Sequence, residues 1–264
     1  MKFLTDDKVE LDYNIYGTGK PVILIAGFGG YQEIWQLQVD YLVKMNYQVI
    51  TYDHRNHGAS ERTNTGLTMS RLITDLHELI DYLQLDEPLL IGHSMGASVC
   101  YGYLSRYDNV AAVMSVDQTV KMLNDMDWHY GFMNINTDNY RTETSQPADV
   151  HETLHGLNFR VMVKLNLAKN KYPFDRVANL PLLFDHVTKD WHETIQKSSH
   201  PIMLVAAKES PYYNSDFAKI VADENENVTS AVVDNSGHDI MAEVPDQFNQ
   251  LLRHFVLSNR RYQS

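Results

Sequence analysis

The sequence predicts an α/β fold: a mostly parallel, doubly wound sheet with helices on both faces and a helical insertion. Three observations predict it. Short continuous apolar runs recur along the chain, such as "VILIA", "PLLIG" and "PIMLVAA", and runs of this length suit strands buried on both faces of a parallel sheet. Most are followed by a stretch with helical spacing. Between about 118 and 197 the alternation stops, leaving only helical pieces and loops.

The elements follow in order. Val9 to Tyr16 alternates apolar and polar residues and reads as a strand, closed by "GTGKP". Residues 22–26 form a buried strand between Pro21 and Gly27. Ile34, Leu37, Tyr41 and Met45 give 33–45 a helical stripe, and 48–53 is the next strand. Leu72, Leu76, Leu79 and Leu83 mark a helix over 68–84. Residues 88–92 are a strand, 95–106 a helix and 110–117 a strand. After the insertion come a strand at 201–207, a helix near 214–222, a strand at 228–233 and a last helix near 245–257. The expected organisation is a core of 1–117 and 198–264 with a helical cap, 118–197, inserted in it. The cap is rich in Met and aromatic residues; Trp128, Phe132 and Met133 are candidates to line an apolar substrate pocket.

Composition narrows the partners. The chain has 264 residues and a formal net charge of -12, which argues against nucleic acid and anionic lipid, whose phosphates call for Lys and Arg. A single cysteine, Cys100, rules out an intramolecular disulfide and fits a reducing compartment. The opening "MKFLTDDKVELDYNIYG" lacks the apolar stretch of a secretory signal, and no apolar run approaches the ~20 residues of a membrane span. The expectation is a cytoplasmic protein acting on a small molecule, with no cofactor, nucleic-acid partner or membrane span. Oligomeric state leaves no signal.

The chemistry centres on Gly92-His93-Ser94-Met95-Gly96, which joins a buried strand to a helix. A serine on such a turn is exposed above the sheet edge, with helix N–H groups aimed at it. Serine is a poor nucleophile without a base. Of twelve histidines, His238 in "VVDNSGHDIMAEVP" alone has the strand–loop–helix placement that brings a side chain over the same edge; His54, His57 and His93 lie in loops near it. Stabilising a developing oxyanion takes two donors. The amide of Met95 is one, and Phe28 in "GFGG", after the first buried strand, is the other.

These pieces together resemble the α/β-hydrolase family across nearly the whole chain. The motifs are "GFGG", "YDHRNHGAS", "GHSMG" and "GHDIMAEVP". Asp53, Arg55, Gly58 and Ser60 match the family's Asp-x-Arg-Gly-x-Gly-x-Ser, with Asn56 at the first glycine, where Asn tolerates a left-handed backbone. Glu243 and Pro245 match the Glu-x-Pro that follows the family histidine. The resemblance implies a serine–acid–histidine triad in that chain order. Most relatives carry an Asp after the strand that follows the cap. Here that turn reads "VAAKESPYY", with Ser210 at the expected position. A minority of the family, including some dehalogenases and the cofactor-free dioxygenases, carries the acid at the end of the strand before the cap, where Asp117 stands. Asp117 is therefore the expected acid, with Glu209 and Asp234 as alternatives.

A competing motif lies in the cap. His151-Glu152-Thr153-Leu154-His155 spells His-Glu-x-x-His, which on a helix could bind zinc, with Asp175 as a further ligand. No Gly and His follow at the extended spacing, and in a chain with twelve histidines a chance match is a simple explanation. We expect a solvated helix face and no metal. The expected function is hydrolysis of a small-to-medium hydrophobic ester or lactone through an acyl-enzyme. The alternatives are cofactor-free dioxygenase or perhydrolase chemistry on the same frame, or a small-molecule receptor. Against the dioxygenase stands Ala26, where the resemblance would place a histidine.

Overall fold

The computed structural model describes residues 1–147 and 149–259. The elements run β1 (Lys2–Leu4), β2 (Glu10–Tyr16), β3 (Lys20–Ile25), a 3-10 turn (Gln32–Trp35), α1 (Gln36–Lys44), β4 (Tyr47–Tyr52), α2 (Met69–Tyr82), β5 (Leu89–His93), α3 (Met95–Leu104) and β6 (Ala112–Val116). They continue with α4 (Tyr140–Ser145), α5 (Phe159–Lys171), α6 (Leu180–Val187), α7 (His192–Gln196), β7 (Ile202–Ala207), α8 (Asp216–Ala222), β8 (Val228–Val233), α9 (Ile240–Glu243) and α10 (Pro245–Ser258).

The eight strands form one sheet in the order β1-β2-β4-β3-β5-β6-β7-β8. β1–β2 and β2–β4 pair antiparallel and every other pair is parallel. The strands read from continuous apolar runs are the central ones. All residues of β5, β6 and β7 are buried, because helices cover both faces. One core layer packs α2, α3 and α8 on one face; the other packs α1 and α10 on the opposite face. β8 closes the far edge and buries only its end residues, Val228 and Val233.

Chain order reverses at β3. β4 lies on one side of it and β5 on the other. Such a switch point opens a crevice beyond the carboxyl ends of the parallel strands, the usual ligand position in open α/β sheets. Loops after β3, β5, β6, β7 and β8 converge there.

Between β6 and β7 the chain adds four short helices and an isolated bridge, Lys121–Asp190. Residues 151–155 carry no helix. The reading of His-Glu-x-x-His as a helix face is therefore corrected: the two histidines lack the helical repeat that would align them. Among the described residues no group of three or more His, Cys, Asp or Glu is placed to hold a metal ion, and no helix is long and apolar enough to cross a membrane.

Candidate active site

Ser94 follows the last residue of β5 and precedes α3. Its backbone stands at φ 52°, ψ -126°, a region non-glycine residues enter at a cost of about 1–3 kcal/mol. The turn holds because its neighbours nearly touch. A Cβ on Gly96 would sit 2.4 Å from the Ile25 carbonyl oxygen, and one on Gly27 would sit 2.9 Å from the Ser94 Cβ. Ser94 N–H donates to Val116 O at 3.0 Å, and its carbonyl accepts from Ala97 N–H at 2.8 Å. Strand and helix thus fix both ends of the elbow.

His238 lies in the loop between β8 and α9 and is almost fully buried. Its Nδ1–H donates to Asp117 Oδ2 at 2.6 Å. Asp117 is the residue after β6, fully buried, with φ 47°. Two more donors orient its carboxylate: Ala207 N–H to Oδ1 at 2.9 Å and Ser210 Oγ–H to Oδ2 at 2.7 Å. Ser210, the residue at the expected acid position, thus serves the carboxylate from the neighbouring strand end. Glu209 is exposed and accepts from Ser236 N–H at 3.1 Å. Asp234 is also exposed. Neither Glu209 nor Asp234 bonds to His238 among the described residues.

Burial alone would push His238 down, but the hydrogen bond and negative charge of Asp117 outweigh it and raise its pKa above the ordinary 6.5. His93 behaves oppositely. Burial, then the His238 charge, hold it well below that value. As a neutral ring it donates Nε2–H to the His238 carbonyl at 3.1 Å, tying the histidine loop to the elbow. The two rings lie 4.4 Å apart.

Phe28 sits in a turn closed by Gly30 N–H to Gly27 O at 3.0 Å. The Gly29 N–H is taken by His57 Nε2 at 3.0 Å, and His57 Nδ1–H donates to Arg55 O at 2.9 Å. Burial, the first cause, lowers His57 to about 4, so Nε2 stays free to accept. Gly29 and Gly30 N–H are thus engaged, whereas the Phe28 N–H has no partner among the described residues. Met95 N–H, at the first position of α3, has no intrahelical partner.

The "YDHRNHGAS" segment supports that turn. Asp53 accepts from Gln32 N–H and Ala59 N–H. Arg55, with no exposed side-chain surface, is gripped by Asp75 and Asp7. Ser60 Oγ–H donates to Asp53 O. Asn56 takes φ 66°, the left-handed backbone its glycine-like position requires. Glu243 bridges two segments: Oε1 accepts from Leu154 and His155 N–H and Oε2 from Gly237 N–H. His238 N–H in turn donates to Glu152 O at 2.6 Å. Residues 152–155 are thus a strap across the histidine loop.

Ser94, His238 and Phe28 open on a cavity of about 820 Å³. Phe132 and Met133 line it. Trp128 does not; it is buried against Tyr130 and His192 with its Nε1–H on Lys121 O. The sequence reading missed Tyr212, Tyr213, Arg176 and His186, which also line the cavity. Tyr212 stacks on Phe132, and its ring stands perpendicular to that of His238 with centroids 4.7 Å apart. The "SPYY" after β7 could have flagged the two tyrosines; Arg176 and His186 carry no local signal.

Comparisons with known proteins point to one family. A family model described as the alpha/beta hydrolase fold matches residues 20–245. The chain is 37% identical over 99 residues to a putative non-heme chloroperoxidase of Synechocystis sp., a match spanning 38% of this chain and only 36% of that protein. It is 27% identical over 247 residues to Esterase YbfF of Escherichia coli (strain K12), spanning 89% of this chain and 92% of that one. Among solved structures, an esterase from Exiguobacterium antarcticum superposes with TM-score 0.80 at 16% identity, covering 96% of this chain and 98% of the other. A bromoperoxidase from Bacillus anthracis gives 0.78 at 22%, covering 94% and 95%.

Proposed function

This chain belongs to the α/β-hydrolase fold family, and from that premise we propose that it is a serine hydrolase cleaving a small-to-medium hydrophobic carboxylic ester or lactone. The observation that carries the reading is the 2.6 Å bond from His238 to the buried, twice-supported Asp117, in the cavity that also holds the strained Ser94. Ser94 Oγ attacks the carbonyl carbon while His238 Nε2 takes its proton. Asp117 holds the proton-bearing Nδ1 and stabilises the imidazolium. The Met95 and Phe28 N–H groups receive the oxyanion. The intermediate collapses as His238 returns the proton to the leaving alkoxide. A water, deprotonated by His238, then cleaves the acyl-enzyme and frees Ser94. The apolar contribution of Phe132, Met133 and Met122 to the wall supports a hydrophobic acyl or alcohol group. In the same scheme hydrogen peroxide could replace water as the second nucleophile; the likeness to the chloroperoxidase favours testing that perhydrolysis alongside.

The test is turnover of short nitrophenyl esters by wild type and Ser94→Ala, with a fluorophosphonate probe read by mass spectrometry. The expected result is turnover and labelling of Ser94, both lost in the variant. Full activity in Ser94→Ala refutes the nucleophile.

A further inference from the structure

Arg176 lies in the loop between α5 and α6 and reaches the cavity wall half-buried. Its guanidinium carbon sits 5.5 Å from the ring centroid of Phe28, the residue that follows Gly27 beside the nucleophile elbow. One terminal nitrogen donates to Thr144 O at 2.7 Å and Gln146 O at 3.2 Å. The Nε is buried with no hydrogen-bond partner among the described residues. Among the described residues Arg176 forms no ion pair within 4.0 Å. A half-buried guanidinium pinned by backbone carbonyls, with a buried N–H left over, is unusual in a folded chain, where buried donors are nearly always paired.

Of the other charged groups on this wall, Glu152 acts on the guanidinium through space but makes no contact with it within 4.0 Å among the described residues. Glu143 and Asp149 are exposed, and so is Glu152, whose Oε1 accepts from Tyr212 Oη–H at 2.6 Å. Lys169 is exposed as well. Asp239 lies beside His93 at 3.8 Å, and burial raises it to about 6. Arg176 and Lys169 are the two lasting cations among the lining residues, and Arg176 is the one beside Phe28.

We propose that Arg176 is an anchor for a carboxylate on the substrate, so that the cavity prefers an ester or lactone carrying a free acid group at a distance from the scissile carbonyl. The geometry suits it: Nη2 is held by the two carbonyls, Nη1 has no hydrogen-bond partner among the described residues, and a planar guanidinium binds a carboxylate with directional bonds. Arg176 sits against Phe28, and both line the cavity that holds Ser94, so the anion end and the reacting end of one ligand can share it. The inference rests on the hydrolase reading, and its test separates the two.

Initial rates are measured for monoethyl adipate and ethyl hexanoate, which share a six-carbon acyl chain and differ in a terminal carboxylate against a methyl. Wild type, Arg176→Lys and Arg176→Gln are compared. The ratio of kcat/KM for the acidic to the neutral ester should fall about 10- to 100-fold in Arg176→Gln, the range expected for a bond to a charged group, mostly through KM. Arg176→Lys, which keeps the charge but loses the fork, should fall less. An equal ratio in all three overturns the anchor while leaving the hydrolase intact. Should Arg176→Gln fail to fold, the Lys variant decides by the same ratio. Separately, adipate is titrated calorimetrically into Ser94→Ala, where no turnover intervenes. Binding that disappears in Ser94→Ala with Arg176→Gln supports the anchor even where no ester is cleaved; no binding at millimolar adipate overturns it. If wild type cleaves neither ester and the fluorophosphonate leaves Ser94 unlabelled, the hydrolase reading falls and the titration alone decides the anchor.

Discussion

Replacing Asp117 by Asn is the most informative perturbation of the proposed mechanism. Asp117 accepts three hydrogen bonds, from His238 Nδ1, Ser210 Oγ and Ala207 N. An amide can keep its oxygen on Ala207 N–H. Its NH2 then replaces Oδ2 and points a donor at His238. The imidazole must accept at Nδ1, which moves its proton to Nε2, the nitrogen that has to be bare to take the Ser94 proton. The wrong tautomer, with no carboxylate for the imidazolium, costs about ten-thousand-fold in kcat in the serine-protease triad. We expect a loss of that order here, about 5.5 kcal/mol at 1.36 kcal/mol per tenfold. The pH profile of kcat/KM carries a second signature. Only neutral His238 can act as base. Wild-type activity should therefore rise with pH through a pKa above the ordinary 6.5 of histidine, because Asp117 raises it against the effect of burial. Without the carboxylate, burial remains, and the residual activity should rise at lower pH than in wild type. Steady-state kinetics on a nitrophenyl ester from pH 5 to 9 reads both. Adding Ser210→Asp to Asp117→Asn returns a carboxylate to the site, because the Ser210 oxygen already lies 2.7 Å from the Asp117 carboxylate. The double variant should recover about tenfold or more over Asp117→Asn alone. A loss below tenfold in Asp117→Asn, or an equal loss in Glu209→Gln, would refute the assignment.

Three further outcomes follow from the same structure. Gly27→Ala puts a methyl 2.9 Å from the Ser94 Cβ and should cut kcat at least about a hundredfold by displacing nucleophile and oxyanion turn together; wild-type kinetics in this variant would contradict the packing. Arg55→Met removes one of the two cations on buried Asp75, which keeps Arg71 Nε at 2.8 Å, and should lower stability by about 1.5–3 kcal/mol in urea melts. Thermal stability should fall with acidification from about pH 6.5 to 4: burial holds His54 and His186 at about 3 and His57 at about 4, whereas the unfolded chain protonates its histidines near 6.5. The unfolded state then binds more protons, so stability is present above 6.5 and is lost on descent; calorimetric melts across that window check the slope.

Much of the core was legible because its strands are buried on both faces and so spell continuous apolar runs. β8, over Val228–Val233, and the start of α10 at Pro245 fell where periodicity and a proline signal put them. β1, three residues at the sheet edge with only Phe3 buried, is too short to carry a pattern. The positions of Ser94 and His238 at the sheet edge could be read because turn chemistry is local. The approach of Asp117 to His238 needed more: it depends on β6 and β7 being neighbours, which the Ser115–Leu204 register expresses and no single segment encodes. The strap at 151–155 misled because a five-residue pattern says nothing of backbone shape. Arg176 was invisible for the reason buried cations usually are. Its partners are carbonyls and a ring brought together only by the fold.

The carboxylate that follows β6 has a consequence for how this protein can change. In the proposed mechanism the turn after β7 need not supply an acid; it contributes one hydroxyl from Ser210, while Tyr212 and Tyr213 line the cavity. That mechanism assigns proton chemistry and substrate shape to different stretches of chain. Variation at Tyr212 can redraw what the cavity admits while the charge behind the histidine stays where it is, so a selection for new substrates has a place to work that does not risk the machinery.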